Sequence, residues 1–162
     1  MEVPYLRRFA RALTGNPTLS DDLVQDCIER ALTRLHLYDE TRNIRTWLYT
    51  ILRNLYINGL RQDIRRGPHM NIDDVSEQNF AQQPVQAEQA VIVHDISKAL
   101  AQLPDDQREV LVLIAIEELS YEEAANIIGT PIGTVMSRLS RARSRLKIIM
   151  SETSDIPARQ SK

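Results

Sequence analysis

Basic and hydroxyl side chains recur at spacings of three and four residues near the C-terminal end of the sequence. In the stretch TVMSRLSRARSRL (134–146), they share a narrow arc if the stretch is helical, at about 100° per residue. Arginine on such a face can hold guanine O6 and N7 as a bidentate pair, and later arginines reach phosphates. We expect base contacts from Thr134, Ser137, Arg138 and Arg141, and DNA backbone contacts from Arg145 and Lys147. Arg143 lies nearer the apolar flank.

The residues before this stretch predict that it follows a tight turn between two helices. Ser120 followed by Glu123 is a capping box, which starts a helix. Gly129 suits the left-handed residue that ends that helix, and Thr130 with Pro131 suits the start of the next one. Two short helices joined in this way form a helix-turn-helix, so we predict that the second helix enters the DNA major groove. The alternative is an arginine-rich surface helix that is merely solvated.

A second polar face lies on the segment 44–66. Apolar residues occupy one side of its predicted helix, and another side carries Asn54, Asn58, Arg61 and Arg65. Asparagine offers a donor and an acceptor to base edges, and arginine offers charge to phosphates. The polar stretch 39–43, which includes Arg42 and Asn43, is loop-like and suits a base flipped from the stack. For Trp47, at the edge of this face, core packing is favoured over stacking on a base.

The segment 18–36 carries an acidic stripe opposite its apolar face. Asp22, Asp26 and Glu29 align there, and such a stripe either docks a basic partner surface or is simply solvated. The inner face includes Cys27, the single cysteine of the chain, which we interpret as a buried small apolar residue. A single cysteine excludes an internal disulfide.

The charges are unevenly distributed, although the net charge is only −2. Residues 1–66 carry 11 basic and 8 acidic side chains, and residues 124–150 carry 5 basic and no acidic ones. Residues 67–100 carry 5 acidic and 1 basic, and residues 101–123 carry 7 acidic and 1 basic. Such asymmetry indicates contact with a polyanion at particular sites rather than a generally sticky surface.

Helical periodicity runs through nearly all of the chain, so we predict an all-α fold of two small helical domains. Helices are expected at 2–14, 18–36, 44–66, 86–102, 105–116, 120–128 and 132–149. Several Gly, Pro, Asn and Asp residues, with few large apolar ones, make 67–85 linker-like. We therefore assign an N-terminal domain to 1–66, a flexible acidic linker to 67–97, a helix-turn-helix domain to 98–150 and a frayed tail to 151–162.

Other classes of protein find little support in the sequence. His36, His69 and His94 are scattered and lack the spacing of metal ligands. No phosphate-binding glycine loop and no nucleophile motif occurs, so we expect neither enzyme activity nor a cofactor. Arginines interrupt any apolar run at the N-terminus, and no run reaches the roughly 18 apolar residues of a membrane span. A cytoplasmic protein is therefore expected.

Three motifs in a fixed order, DDLVQDCIERAL, RTWLYTILRN and LSYEEAANIIGTPIGTVMSRLSRARSRL, resemble the sigma factor family of RNA polymerase. The similarity is to the extracytoplasmic-function (ECF) group, which keeps only the second and fourth sigma domains. It implies that core RNA polymerase is gripped by Asp22, Gln25, Asp26 and Glu29. It also implies that the loop 39–43 and the helix carrying Asn54, Asn58 and Arg61 melt and read the minus-ten promoter element. The helix-turn-helix would read the minus-thirty-five element.

The resemblance also implies partners and control. Such a factor would be a monomer when free, would bind promoter DNA tightly only with polymerase, and would be held inactive by an anti-sigma factor. Its acidic linker would thread through the polymerase near the RNA exit path. The phrases FARALTGN and NIRTWLYTILRN resemble general-stress sigma factors of alphaproteobacteria, which suggests a stress regulon. Met136 stands where some relatives carry arginine, so one DNA contact would be absent.

Two other classes of protein remain in competition with this interpretation. A dimeric helix-turn-helix regulator would need a dimerisation surface and would leave the polar face on 44–66 unexplained. A sigma mimic, which sequesters an anti-sigma factor by imitating a sigma factor, would not need the basic helix that carries Arg138, Arg141 and Arg145.

Overall fold

Over residues 2–67 and 87–154, which the computed structural model describes (with side chains over 2–67 and 94–152), the chain forms seven α-helices. These are α1 (Val3–Thr14), α2 (Pro17–Thr33), α3 (Ile44–Arg66), α4 (Ala87–Ala101), α5 (Asp105–Leu111), α6 (Tyr121–Ile128) and α7 (Ile132–Ser154). A 3₁₀ turn, Leu35–Leu37, follows α2. The all-α prediction is confirmed, whereas most of the linker-like stretch 67–85 lies outside the described residues. No described helix is both long enough and apolar enough to cross a membrane.

Local signals in the sequence set the ends of the first three helices. Gly15 ends α1 with a φ of 65°, a left-handed conformation that glycine adopts at little cost. The Asn16 side chain accepts a hydrogen bond from the backbone three residues later, and Pro17 occupies the first turn of α2. Asn43 caps α3 in a similar way, with its Oδ1 2.9 Å from the backbone nitrogen two residues later.

The helices α1, α2 and α3 pack together around an apolar core. The rings of Phe9 and Tyr49, both fully buried, meet edge-on with their centroids 4.9 Å apart. Cys27 is fully buried between α2 and α3, with its Sγ 3.5 Å from the carbonyl oxygen of Leu48. Burial raises the pKa of the Cys27 thiol to about 12. The prediction of a buried cysteine is therefore confirmed.

The helices α4 to α7 form the C-terminal domain, whose core includes the fully buried Val110, Leu113 and Val135. Residues 87–97, which were assigned to the linker, form the first part of α4, in agreement with the helix predicted at 86–102. This helix contacts α7 and buries Ala99 and Leu100, so its C-terminal part belongs to the domain. Helix α7 extends to Ser154, beyond the predicted start of the frayed tail.

The predicted helix 105–116 is interrupted by an irregular turn. After α5, residues Val112–Ile116 form a π-helical turn, which closes with the Glu117 N–H donating to the carbonyl of Val112 at 2.9 Å. Glu118 follows with a φ of 56°, a left-handed conformation that residues other than glycine seldom adopt. Together these two irregularities turn the Glu117 side chain inward, where it is fully buried.

The two domains are in contact. The described buried apolar residues form one continuous cluster that includes members of both domains. Helix α3 contacts α6, and α1 contacts α5 and the π-helical turn. The sequence predicted the two domains but not this arrangement, because no local periodicity encodes a contact between helices distant in the chain.

Candidate nucleic-acid interface

Helices α6 and α7 form the predicted helix-turn-helix. The Ser120 hydroxyl oxygen accepts a hydrogen bond from the Glu123 N–H at 3.1 Å, and the Glu123 carboxylate accepts one from the Ser120 N–H at 2.9 Å. Gly129 has a φ of 74°, and its N–H donates to the carbonyl of Ala125 at 2.8 Å. The capping box and the glycine turn are both confirmed.

The predicted cap at Thr130 is wrong. Helix α7 begins at Ile132, and the carbonyl of Pro131 accepts hydrogen bonds from the first turn, including one from the Thr134 N–H at 3.0 Å. Pro131 therefore occupies the capping position. The Thr130 N–H instead bonds the carbonyl of Ala125 at 3.2 Å and so belongs to the end of α6. Its hydroxyl is buried and has no hydrogen-bond partner among the described residues.

The predicted reading face on α7 is only partly exposed. Arg141 and Arg145 are open to solvent, whereas Thr134 and Ser137 are half-buried. Arg138 turns back toward α5, where its Nε lies 3.4 Å from Oδ2 of Asp106, and only 25% of its side chain is exposed. At about 100° per residue, the centre of the exposed face is rotated by roughly 60° from the predicted arc.

The same rotation exposes Arg143 and two serines that the sequence analysis did not assign to DNA, beside Lys147, which was predicted to contact the DNA backbone. Arg143 is exposed, and Ser140, Ser144 and Lys147 share its side of the helix. The prediction followed the basic and hydroxyl residues themselves, whose arc lies only about 110° around the helix from the buried residues and not opposite them. Ile132, which was counted as an inward residue, is 45% exposed. The buried set alone, Val135, Leu139 and Ala142, would have given the correct direction. Met136 is also exposed, at 51%, so the absence of a charge at this position leaves an apolar patch on the face.

The second predicted face is intact on α3. All four of its polar residues are exposed: Asn54, Asn58, Arg61 and Arg65. The Arg65 Nε donates to the carbonyl of Arg61 at 3.3 Å, which holds that side chain along the helix. Because Leu48 and Leu52 anchor α3 in the core, this face is presented on a rigid element. Its amides and guanidinium groups suit base edges and phosphates, respectively.

The loop before α3 is ordered by its own hydrogen bonds. The Asp39 carboxylate accepts hydrogen bonds from the N–H and the hydroxyl of Thr41, at 3.0 and 2.6 Å. These bonds, aided by the nearby Arg42 guanidinium, lower the pKa of Asp39. The Tyr38 hydroxyl donates to the Arg42 carbonyl at 2.6 Å. Asn43 uses its side-chain oxygen as the cap of α3, whereas the Arg42 side chain is 80% exposed and available to a ligand.

Trp47 is half-buried at the base of this loop. It packs against the core, as the favoured interpretation predicted. Its ring also lies against Tyr38, with the centroids 5.0 Å apart and the planes tilted by 42°. The two rings form an aromatic surface beside the loop, which is the kind of surface on which an unpaired base stacks.

The residues predicted to bind polymerase are exposed on α2: Asp22, Gln25, Asp26 and Glu29. The Gln25 Nε2 donates to Oε1 of Glu29 at 3.2 Å. Next to them, an apolar groove of about 490 Å³ runs between α2 and α3, with Asp22 and Asp26 among its lining residues. The apolar lining residues are Leu19, Leu23, Leu55 and Leu60. An acidic rim beside an apolar groove suits a partner helix with basic and apolar side chains.

Comparison with known protein families gives one match in each domain. Residues 1–53 match the family model described as the Sigma2 domain of PhyR. Residues 94–146 match the model described as Sigma-70, region 4. The second match contains α6, the turn and α7 as far as residue 146, together with the C-terminal part of α4.

Similar whole proteins carry both domains. The ECF RNA polymerase sigma factor EcfG of Rhodopseudomonas palustris is 40% identical over 148 residues, which cover 91% of this chain and 80% of that protein. The ECF RNA polymerase sigma factor SigM of Bacillus subtilis is 33% identical, with coverage of 88% and 86%. Among solved structures, the sigma factor RpoE of Bartonella quintana, in complex with the anti-sigma factor NepR, superposes with a TM-score of 0.78 at 36% identity. That similarity covers 92% of this chain and 91% of the Bartonella chain.

Proposed function

Since the chain belongs to the ECF family of RNA polymerase sigma factors, we propose that it binds core RNA polymerase and directs it to promoter DNA. The observation that carries this proposal is the pair of exposed polar faces on α3 and α7, one in each domain. Two separate reading faces match a promoter with two separated elements. The chemistry of RNA synthesis stays with polymerase, so the chain itself is not an enzyme, needs no cofactor and works in the cytoplasm beside polymerase.

Each surface has a distinct role in this proposal. The acidic rim and apolar groove on α2 and α3 bind core polymerase. The loop 39–43, with Arg42 and the aromatic surface behind it, holds a base of the melted minus-ten element, while Asn54 and Arg61 contact neighbouring bases and phosphates. Helix α7 enters the major groove of the minus-thirty-five element, with Arg141 and Arg143 on its exposed face.

Neither domain is expected to bind promoter DNA tightly alone. One helix-turn-helix buries a modest surface on DNA, and its basic side chains give mostly salt-sensitive affinity. Polymerase holds the two reading surfaces on the same DNA molecule, which raises their effective concentration without any new contact. We therefore expect weak binding by the monomeric free protein and tight binding by the holoenzyme.

Control by an anti-sigma factor is the second part of the proposal. It is supported by the Bartonella relative, which was solved with its anti-sigma factor NepR. A protein that covers the groove on α2 and α3 would exclude polymerase from the same surface. We propose that release from such an inhibitor switches on a stress regulon.

In vitro transcription tests the proposal directly. Core polymerase, a genomic promoter library and this chain as the only added factor should yield transcripts that share two spaced upstream motifs. Asn54→Ala should reduce promoter opening, measured by permanganate reactivity of unpaired thymines, while core binding stays intact. Gln102→Ala, which removes an exposed amide just after α4, is the matched control. Equal and sequence-specific DNA affinity without polymerase would contradict the proposal.

A charge-matched pair of variants tests the polymerase surface. Asp26→Asn removes one charge from the acidic rim, and Asp21→Asn removes one charge from another side of α2, where Asp21 pairs with Arg7. Fluorescence anisotropy with labelled core polymerase should show weaker binding for Asp26→Asn only. Equal losses of affinity in both variants would indicate a general charge effect and would refute the assignment of this face to polymerase binding.

The second candidate is the sigma mimic. It is favoured by the match of residues 1–53 to a model named for PhyR. A mimic would bind an anti-sigma factor and give no transcripts with core polymerase. The exposed arginines of α7 oppose it, because a mimic has no use for a DNA-reading helix.

A further inference from the structure

One glutamate of the C-terminal domain is fully buried against the N-terminal domain. The two carboxylate oxygens of Glu117 lie 2.6 and 3.0 Å from Nε and Nη2 of Arg8 on α1. The Tyr49 hydroxyl on α3 donates to the same carboxylate at 2.5 Å. None of these groups belongs to the proposed DNA-reading or polymerase-binding surfaces.

A second buried glutamate repeats this arrangement on α5. The Glu109 side chain is 7% exposed, and its Oε1 lies 2.5 Å from Nε of Arg53 on α3. Burial raises the pKa of Glu109, against the opposing effect of Arg53. At the margin of the contact, the Thr46 hydroxyl lies 3.4 Å from the Glu123 carboxylate. In each pair the N-terminal domain supplies the donor and the C-terminal domain supplies the carboxylate.

This pattern explains the charge imbalance in the sequence. The strongly acidic segment 101–123 supplies the three carboxylates, and the net basic segment 1–66 supplies the two arginines. Charge complementarity of this kind favours one docking arrangement over others. Ion pairs are scarce in permanent domain cores and common where domains separate, because each charge regains its hydration on opening.

The contact places the two reading helices too close together for a promoter. Helix α5 pairs with α3 through Glu109 and packs against α7, so about two helix-packing distances, on the order of 20 Å, separate α3 from α7. The minus-ten and minus-thirty-five elements are about 25 base pairs apart, which is about 85 Å of B-form DNA at 3.4 Å per base pair. One protein in this arrangement is unable to reach both elements.

We propose that the free chain closes on itself through these interdomain ion pairs and must open before it can read a promoter. We name this set of contacts, Arg8–Glu117–Tyr49 and Arg53–Glu109, the clasp. Its inhibitory effect rests on the proposed function, whereas the closure itself does not. Removing one partner of a buried pair leaves the other charge buried without compensation, which strongly disfavours the closed state.

Energy transfer between two dyes on the free chain measures closure. Cysteines placed at the exposed positions Thr18 and Ser144 accept the dyes, while Cys27, buried and with a thiol pKa of about 12, stays unlabelled. Arg8→Gln and Glu117→Gln should each lower the transfer efficiency, as should added salt in the wild type. Glu122→Gln, an exposed carboxylate on α6, should leave it unchanged.

The unlabelled variants then report the inhibitory effect. Polymerase that places the two domains on two separated promoter elements must hold the open form of the chain. If nine-tenths of the free chain is closed, opening it should therefore strengthen binding to core polymerase by about tenfold, since the apparent affinity scales with the competent fraction. Unchanged transfer efficiency in a cooperatively folded Arg8→Gln variant would overturn the closure. Lower transfer without stronger core binding would overturn the inhibition.

Two further outcomes are separable. Arg8 is 45% exposed, so the Arg8→Gln variant is expected to fold. It therefore tests the closure even if the Glu117→Gln variant fails to fold. Failure of the wild type to bind core polymerase would overturn the proposed function and the inhibition together, while the energy-transfer result would still test the closure.

Discussion

Replacing Arg141 with alanine should weaken recognition of the upstream promoter element much more than replacing Arg138 with alanine. Arg141 is exposed on α7, whereas the Arg138 guanidinium is held by Asp106 at 3.4 Å and has only 25% of its side chain exposed. Both arginines were expected from the sequence to contact bases. The structure separates them, because Arg138 has to leave its ion pair before it meets DNA.

The size of the difference depends on the contact that each arginine is able to make. Loss of one bidentate guanine contact costs about 1–3 kcal/mol, which is about 5- to 150-fold in affinity. Arg141→Ala should fall in this range on promoters with an intact upstream element. The loss for Arg138→Ala should be smaller by up to about 1 kcal/mol, or about fivefold in affinity, because Arg138 first has to break its partly exposed ion pair with Asp106.

Titration of fluorescent promoter duplexes with the holoenzyme measures both losses. Each variant is titrated on an intact duplex and on one with a scrambled upstream element, at several salt concentrations. Arg145→Ala should reduce the salt dependence by about one phosphate contact on both duplexes. Lys98→Ala, an exposed cation on α4, is the control. Two results would refute this assignment of the face: a loss for Arg138→Ala equal to or larger than that for Arg141→Ala, or a loss for Arg141→Ala that is the same on the intact and the scrambled duplex.

Three further predictions concern stability. Leu52→Ala removes a fully buried side chain of α3 and should lower the free energy of unfolding, measured by urea titration, by about 2–5 kcal/mol. A loss below about 1 kcal/mol would show that Leu52 is not packed in the core as described. Ser120→Ala removes the cap of α6 and should cost about 1 kcal/mol, visible as a fall in Tm of about 2–4 °C, whereas Ser151→Ala on exposed α7 should not. The raised pKa of Glu109 means that the folded state binds its proton more tightly than the unfolded chain. Relative to Glu109→Gln, the wild type should therefore gain stability as the pH falls through that pKa, and a relative loss in acid would reverse the inferred direction.

The presence of the helices and the positions of most of their ends were predictable because both depend on residues that are neighbours in the sequence. The capping box at Ser120 and Glu123 and the turn at Gly129 need only a few residues of chain to form. Where two local signals competed, the prediction failed. Thr130 is a good capping residue by type, but Pro131 at the next position and the closure of α6 leave its hydroxyl without a role.

The contact between the domains was not predictable from periodicity. Tyr49 and Arg53 lie on a third side of α3, neither the predicted apolar side nor the predicted reading side, and their partners lie 68 and 56 residues away. Only the excess of acid in 101–123 hinted at a basic partner. The basic segments were expected to contact a polyanion, whereas two arginines of 1–66 meet carboxylates of the same chain.

The π-helical turn at Val112–Ile116 makes the angular setting of the C-terminal helices depend on a residue count. A π turn holds more residues than the α turn it replaces, and each residue removed from a helix rotates the downstream chain by about 100°. Deleting one residue here would leave a regular α-helix, yet would swing Glu117 away from Arg8 and turn α7 to another side. Among relatives, substitutions in this turn should therefore be common and insertions or deletions rare, because the number of its residues, and not their types, sets the angle of the downstream helices.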